Sequence, residues 1–202
     1  LRLTFAFQCL GGAHWFLRVE ETPLLAWLTS PADVGGLAWS ESAALGLQHT
    51  TGWLLLPAAV CTLVRPCAWV LVPLAVLQVL LAVAMIPTHT GFQLLISGLP
   101  ASVAGLFPLA SQIGRIAAPI GLALLDPWRA EPRESAALAA LRWAIAITFF
   151  VHGIEAVEHY PKFVDYNIVL SQRLLGYTMS QAAAEHALFV FGVLDMIVAV
   201  AV

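Results

Sequence analysis

The chain has 202 residues, 60% of them hydrophobic and 10% charged, with a formal net charge of −3. A soluble globular domain has about 45–50% apolar and about 25% charged residues, so that class is excluded, and disorder or a nucleic-acid surface would need polar or basic chain that is absent. What remains is an all-α, polytopic membrane helix bundle of about six transmembrane helices, because each crossing consumes about 20 apolar residues.

Apolar runs between charges predict helices over Leu1–Leu17, Ser42–Val64, Cys67–Ile86, Gln93 to about Leu125, Leu138–Val157 and Ser180–Val202. The fourth run is too long for one simple crossing, carries Arg115, and is broken by Pro100, Pro108 and Pro119. Since proline removes a backbone donor and kinks helices, this run is read as one kinked crossing followed by an interfacial segment. Its Gly98, Gly105, Gly114, Ser97, Ser102 and Ser111 are small residues that allow close helix approach. Pro23 to Leu28 and Phe163 to Tyr166 read as short amphipathic pieces on the outer surface, either of which could cap a cavity.

Lys and Arg mark cytoplasmic loops. Residues 18–41 hold one Arg against Glu20, Glu21, Asp33 and Glu41 and should face outward; Arg65 marks the next connection as internal. The third connection, around His89, is uncharged and external, and Arg115, Arg129, Arg133 and Arg142 form the densest basic cluster. This alternation predicts a bacterial-type inner membrane protein with both ends cytoplasmic and the loop from Glu158 to Tyr177 outside. Of the seven tryptophans, Trp15, Trp27, Trp39 and Trp128 fit an interfacial aromatic belt. Cys9, Cys61 and Cys67 form neither a disulfide framework nor a two-pair zinc motif.

A weak internal echo links Leu1-Arg2 with Leu141-Arg142, Gly11-Gly12 with His152-Gly153, Pro23 with Pro161, and Gln48-His49 with Glu185-His186, at offsets of 140, 141, 138 and 137. It divides the chain into a first four-helix unit (1–125), a cytoplasmic linker (126–137) and a partial second unit of two helices (138–202). The chain starts without Met and stops in an apolar run, so further sequence is expected beyond one or both ends.

An ionisable side chain inside the bilayer costs a few kcal/mol or more and is a functional candidate by default. His152, Glu155 and His159 are spaced i, i+3, i+7 on one helical face, with Glu158 beside them. His49 follows Gln48, His186 follows Glu185, and with His14 and His89 all six histidines fall in the outer half of the predicted topology. Imidazole ligates haem iron, copper and zinc and titrates near neutral pH, and a neighbouring carboxylate orients the ring or takes its proton. Three readings stay open for His152, Glu155, His159, His49, His186 and Glu185: a haem or metal site with His152, Glu155 and His159 as ligands, a quinone or proton-relay site, or polar pairs that satisfy each other between helices. Asp195, among Val, Leu, Met and Ile, must be protonated, paired with another helix or turned to a partner.

Leu141-Arg142, eight largely apolar residues, then Val151-His152-Gly153 and a short outer loop resemble the opening helix of the DoxX-like membrane proteins. That family is a small four-helix bundle, and several members accompany respiratory or redox modules. The resemblance implies structural roles for Arg142 and Gly153 and marks His152; the family commonly has Lys shortly after His-Gly, where this chain has Glu155. The expected function is a membrane subunit of a redox or respiratory complex whose outer-half His/Glu cluster binds quinone, haem or a metal ion. Membrane lipids and other membrane subunits are the expected partners. A small-molecule transporter or channel, or a purely structural subunit, are the alternatives. No P-loop, Gly-x-Ser-x-Gly, His-Glu-x-x-His or dinucleotide fingerprint occurs, so neither nucleotide nor nucleic acid is an expected partner.

Overall fold

Apolar runs with no polar partner in lipid must satisfy every backbone N–H and C=O within the segment, and the helix does this. The computed structural model describes residues 1–19, 22–87, 106–125 and 133–202, and among them every regular element is helical. In chain order these are α1 (Arg2–Arg18), α2 (Pro23–Thr29), a short 3-10 turn (Ala32–Val34), α3 (Glu41–Val64), α4 (Ala68–Ala84), α5 (Phe107–Ser111), α6 (Ile113–Leu124), α7 (Glu134–Val157), α8 (Pro161–Leu175) and α9 (Gln181–Ala201). Three of them, α3, α7 and α9, are long and apolar enough to cross a membrane, while α4 and α6 are shorter apolar helices. Prolines 57, 73 and 119 lie inside α3, α4 and α6.

Helix α1 runs antiparallel to α3, with Phe16 and Leu17 over Gly52 and Leu55 over Gly12. The same antiparallel contact joins α7 and α9, where Gly153 meets Gly192 and Met196. Helix α6 lies antiparallel on α7, Gly114 beside Thr148 and Gly121 beside Leu141, and also packs on α4. The main core gathers Phe5, Phe16, Leu55, Leu71 and Leu122 from α1, α3, α4 and α6, and a smaller one joins Ala156, Val164, Ala184 and Leu188. The outward faces of α7 and α9 carry exposed Trp143, Phe149, Phe150, Phe189, Phe191 and Ile197, the apolar surface that lipid would cover.

The two helix pairs follow one course. In each, a long helix hands over to a helix started by proline (Pro23, Pro161), then to a left-handed glycine (Gly35, φ 84°; Gly176, φ 73°), then to a long helix capped by serine (Ser40, Ser180). Glycine suits that backbone because it has no Cβ to clash.

Several boundaries differ from expectation. The segment read as an outer loop with one short amphipathic piece is the 15-residue helix α8; Pro161 starts it and Gly176 stops it, and Val164 and Ser171 form its buried stripe. Helix α7 begins at Glu134, four residues before the expected Leu138, because Glu134 favours a helix N-terminus and Ser-Ala-Ala-Leu-Ala-Ala continues it. The second part of the fourth run is the α5–α6 pair, broken at Gln112. Glu20, Glu21, His89, Gly98, Pro100, Gly105, Trp128, Arg129, Ser97 and Ser102 lie outside the described residues, as does 126–132 of the expected linker.

Candidate functional site

Helix α7 ends in a manner that shapes the site. The N–H of Tyr160 reaches the carbonyl of Glu155 at 2.9 Å and that of His159 the carbonyl of Ala156 at 3.1 Å, with His159 left-handed at φ 52°. These two bonds are the backbone closure that often finishes a helix with glycine at the left-handed position, and Pro161 then starts α8. Tyr160 and Phe163 are thereby folded back over the end of α7: the Phe163 ring stands edge-on to His152 at 6.0 Å and to Tyr160 at 5.5 Å.

Beneath this turn is a cavity of about 690 Å³, within the range of ligand pockets. Helices from both pairs line it: Trp15 from α1, Thr22 and Leu25 at α2, Gln112 and Arg115 at the α5–α6 break, His152 and Glu155 from α7, and Tyr160, Lys162 and Tyr166 at α8. Both short amphipathic pieces singled out in the sequence line this one cavity. Inside it, His152 Nε2 lies 4.0 Å from Glu155 Oε2, with the Glu155 side chain 5% and that of His152 40% exposed. Asp195 of α9, half-buried, and Arg115 of α6 both act electrostatically on His152. The Tyr160 phenol is pushed above its ordinary range by burial first and by the Glu155 and Tyr166 charges second, which keeps it a protonated donor.

The structure brings together His152 and Glu155 and separates the rest. His159 was expected on the same face one turn further along, but the helix has closed before it and it is exposed. His49 is exposed on α3. His186 turns its Nδ1 onto the carbonyl of Ala182 at 2.7 Å, and Glu185 accepts from Gln181 at 2.8 Å; neither lines the cavity. His14 is exposed too. Among the described residues no three His, Cys, Asp or Glu side chains gather where a metal ion could be held, so the expected ligand set His152, Glu155 and His159 is two donors and not three. Gly153 has a structural role, since a Cβ there would meet the Gly192 carbonyl at 2.7 Å. Arg142 is exposed at the far end of α7, in a groove with Trp143 and Val200. Cys9 is buried, Cys61 exposed, Cys67 half-buried, and all three are free.

Sequence reasoning passed over Arg115 as a site residue. It counted the charge with a cytoplasmic cluster, and the structure sets Arg115 in the lining of the cavity that holds His152. The signal was its position, a lone Arg in an apolar stretch between Gly114 and Ile116. Comparison with family models, with curated proteins and with solved structures finds no match for this chain.

Proposed function

We propose that this chain is a membrane subunit of an oxidoreductase complex and that its cavity binds the headgroup of a quinone. The observation that carries the reading is the His152–Glu155 pair, 4.0 Å apart, in a 690 Å³ interhelical cavity. Quinone reduction takes two electrons and two protons; the electrons would come from a redox centre of a partner subunit, and His152 and Glu155 would deliver protons to the carbonyl oxygens as the neutral and charged forms interconvert. The Phe163 and Trp15 rings supply the flat apolar walls that a quinone ring needs.

The wider frame belongs to the same proposal. Helices α1, α3, α4, α5–α6, α7 and α9 would make six crossings of a bacterial-type inner membrane with both ends cytoplasmic, and the two pairs would be copies of one unit, with the site between them as in other repeat-built membrane proteins. Membership of the DoxX-like group rests on Leu141-Arg142 and His152-Gly153. Among the described residues two donors, His152 and Glu155, meet in the cavity, and the aromatic walls beside them favour a quinone.

The test is titration of the purified full chain in neutral lipid nanodiscs with decylubiquinone, read by quenching of the tryptophan fluorescence that Trp15→Phe removes. Saturable quenching is expected, weakened about tenfold or more by Glu155→Leu or His152→Leu, since each deletes a hydrogen-bonding group of the cavity. Equal affinity in both variants would sink the reading. Recovery of the chain without any redox-active partner would favour a solitary transporter.

A further inference from the structure

Quinone chemistry needs His152 and Glu155 and leaves two charges of the same cavity without a task. Arg115 is the third residue of α6, and the backbone around it is fixed: Gly114 N–H donates to Thr148 Oγ1 of α7 at 3.0 Å, and Gln8 Nε2 of α1 donates to the Arg115 carbonyl at 3.3 Å. Lys162 stands in the first turn of α8 on the same cavity. Among the described residues the ion pair within 4.0 Å is His152 with Glu155, and neither Arg115 nor Lys162 has a carboxylate partner at that distance.

Arg115 is exposed, and a guanidinium that faces an interhelical cavity without a carboxylate partner attracts an anion. Its planar fork matches the two oxygens of a carboxylate or phosphate, whereas an ammonium acts as a point charge on the same group. The surroundings fit an oxyanion as well. Gln112 brings a polar side chain, Tyr160 and Tyr166 bring phenols, and Leu25, Ala26 and Met85 add apolar lining. Among the described residues that line the cavity Glu155 is the one acid, and it stands 4.0 Å from His152.

We propose that the cavity binds an oxyanion, a carboxylate or phosphate group, either free or as the head of an anionic lipid, through Arg115 and Lys162 of its lining. This rests on reading the cavity as a ligand site and not on that ligand being a quinone. The two cations are contributed by α6 and α8, so the bound anion ties the end of α6 to the helix that folds over the cavity.

The full chain in phosphatidylcholine nanodiscs is titrated with inorganic phosphate and, separately, with benzoate, and is compared with nanodiscs containing phosphatidylglycerol; the readouts are the Trp15-dependent fluorescence and the thermal midpoint. A saturable response to phosphate or benzoate supports a free anion, and a response only to phosphatidylglycerol supports a lipid head. Arg115→Gln is expected to weaken either response about tenfold or more, the loss of a charge-assisted bond, and Arg173→Gln, the same charge change at the far end of α8, to leave it unaltered. If Arg115→Gln does not fold, Lys162→Gln, exposed on α8, carries the test with an expected weakening of about threefold or more. No saturable response to any of the three probes overturns the proposal, as does an undiminished response in the variants. Decylubiquinone binding without an anion response sinks this proposal alone; the reverse sinks the quinone reading alone.

Discussion

The pairs α1/α3 and α7/α9 face one problem, how to close a long helix whose last carbonyls have no intrahelical donor, and they solve it differently. At the end of α1 the chain leaves extended through Val19, and Gln48 reaches across from α3: its Nε2 donates to the Phe16 and Val19 carbonyls at 3.2 and 3.1 Å, and its Oε1 accepts from the Thr22 hydroxyl. At the end of α7 the backbone closes on itself through His159 and Tyr160. The position on α9 that stands 140 residues after Gln48 is Leu188, which is buried and apolar. The first pair therefore spends its polar residues on structure. The second pair needs none for that purpose, and its His152 and Glu155 are left facing a cavity.

The largest expected effect comes from making the first pair like the second. Gln48→Leu removes the amide and leaves the Phe16 and Val19 carbonyls and the Thr22 hydroxyl without their partner in a buried place. Unsatisfied buried groups cost about 1–3 kcal/mol each where water cannot reach them, so a loss of about 2–3 kcal/mol is expected in reversible unfolding of the chain in mixed micelles. Leu188→Gln, the reverse exchange, should also destabilise, because Leu188 lies in the buried apolar cluster with Ala156, Val164 and Ala184. Stability unchanged in Gln48→Leu would mean that the clamp does not hold the α1 end and that the contrast between the pairs is not energetic.

The next effect concerns how close the helices lie. In the second pair a Cβ at Gly192 would meet the Gly153 carbonyl at 2.6 Å and the Ala156 Cβ at 3.0 Å, so Gly192→Ala must push backbone from backbone. In the first pair a Cβ at Gly12 would meet only the flexible end of Leu55, at 3.1 Å. Overpacking a rigid contact costs about 1–3 kcal/mol; Gly192→Ala is expected to lose about 1–2 kcal/mol by the same unfolding measurement and Gly12→Ala less than about 0.5. Equal losses at the two sites would show that both pairs pack through side chains alike.

Much of the bundle was legible because its cause is local. The apolar runs ending at Leu17, Val64 and Val157 stop within a residue of α1, α3 and α7, since a charge or a turn residue follows each. The site was legible only in part. His152 and Glu155 could be placed on one face from their i, i+3 spacing, but spacing says nothing about where a helix stops, and so His159 was carried one turn too far. Arg115 was passed over as a site residue because a rule that assigns Arg to loops has no term for the cavity a residue lines. Ser40 and Ser180, at the N-cap positions of α3 and α9, and Gly52 and Gly192, both at helix contacts, each stand 140 residues apart, whereas the echo of Gln48-His49 in Glu185-His186 runs at 137.

The smallest effect separates a ligand from a helix stop. His159 holds a left-handed backbone at φ 52°, a conformation in which any side chain with a Cβ is disfavoured by roughly 1 kcal/mol and glycine is not. His159→Gly should therefore stabilise the chain by about 0.5–1 kcal/mol and leave decylubiquinone quenching as it was, because the Tyr160 N–H still bonds the Glu155 carbonyl and Phe163 still stands over His152. A residue that held a metal or quinone would behave in the opposite sense, with binding lost on removal of the imidazole whatever happened to stability. Weakened quenching in His159→Gly would return this residue to the site and erase the difference drawn between the two helix ends, since α7 would then also be closing on a residue needed for function.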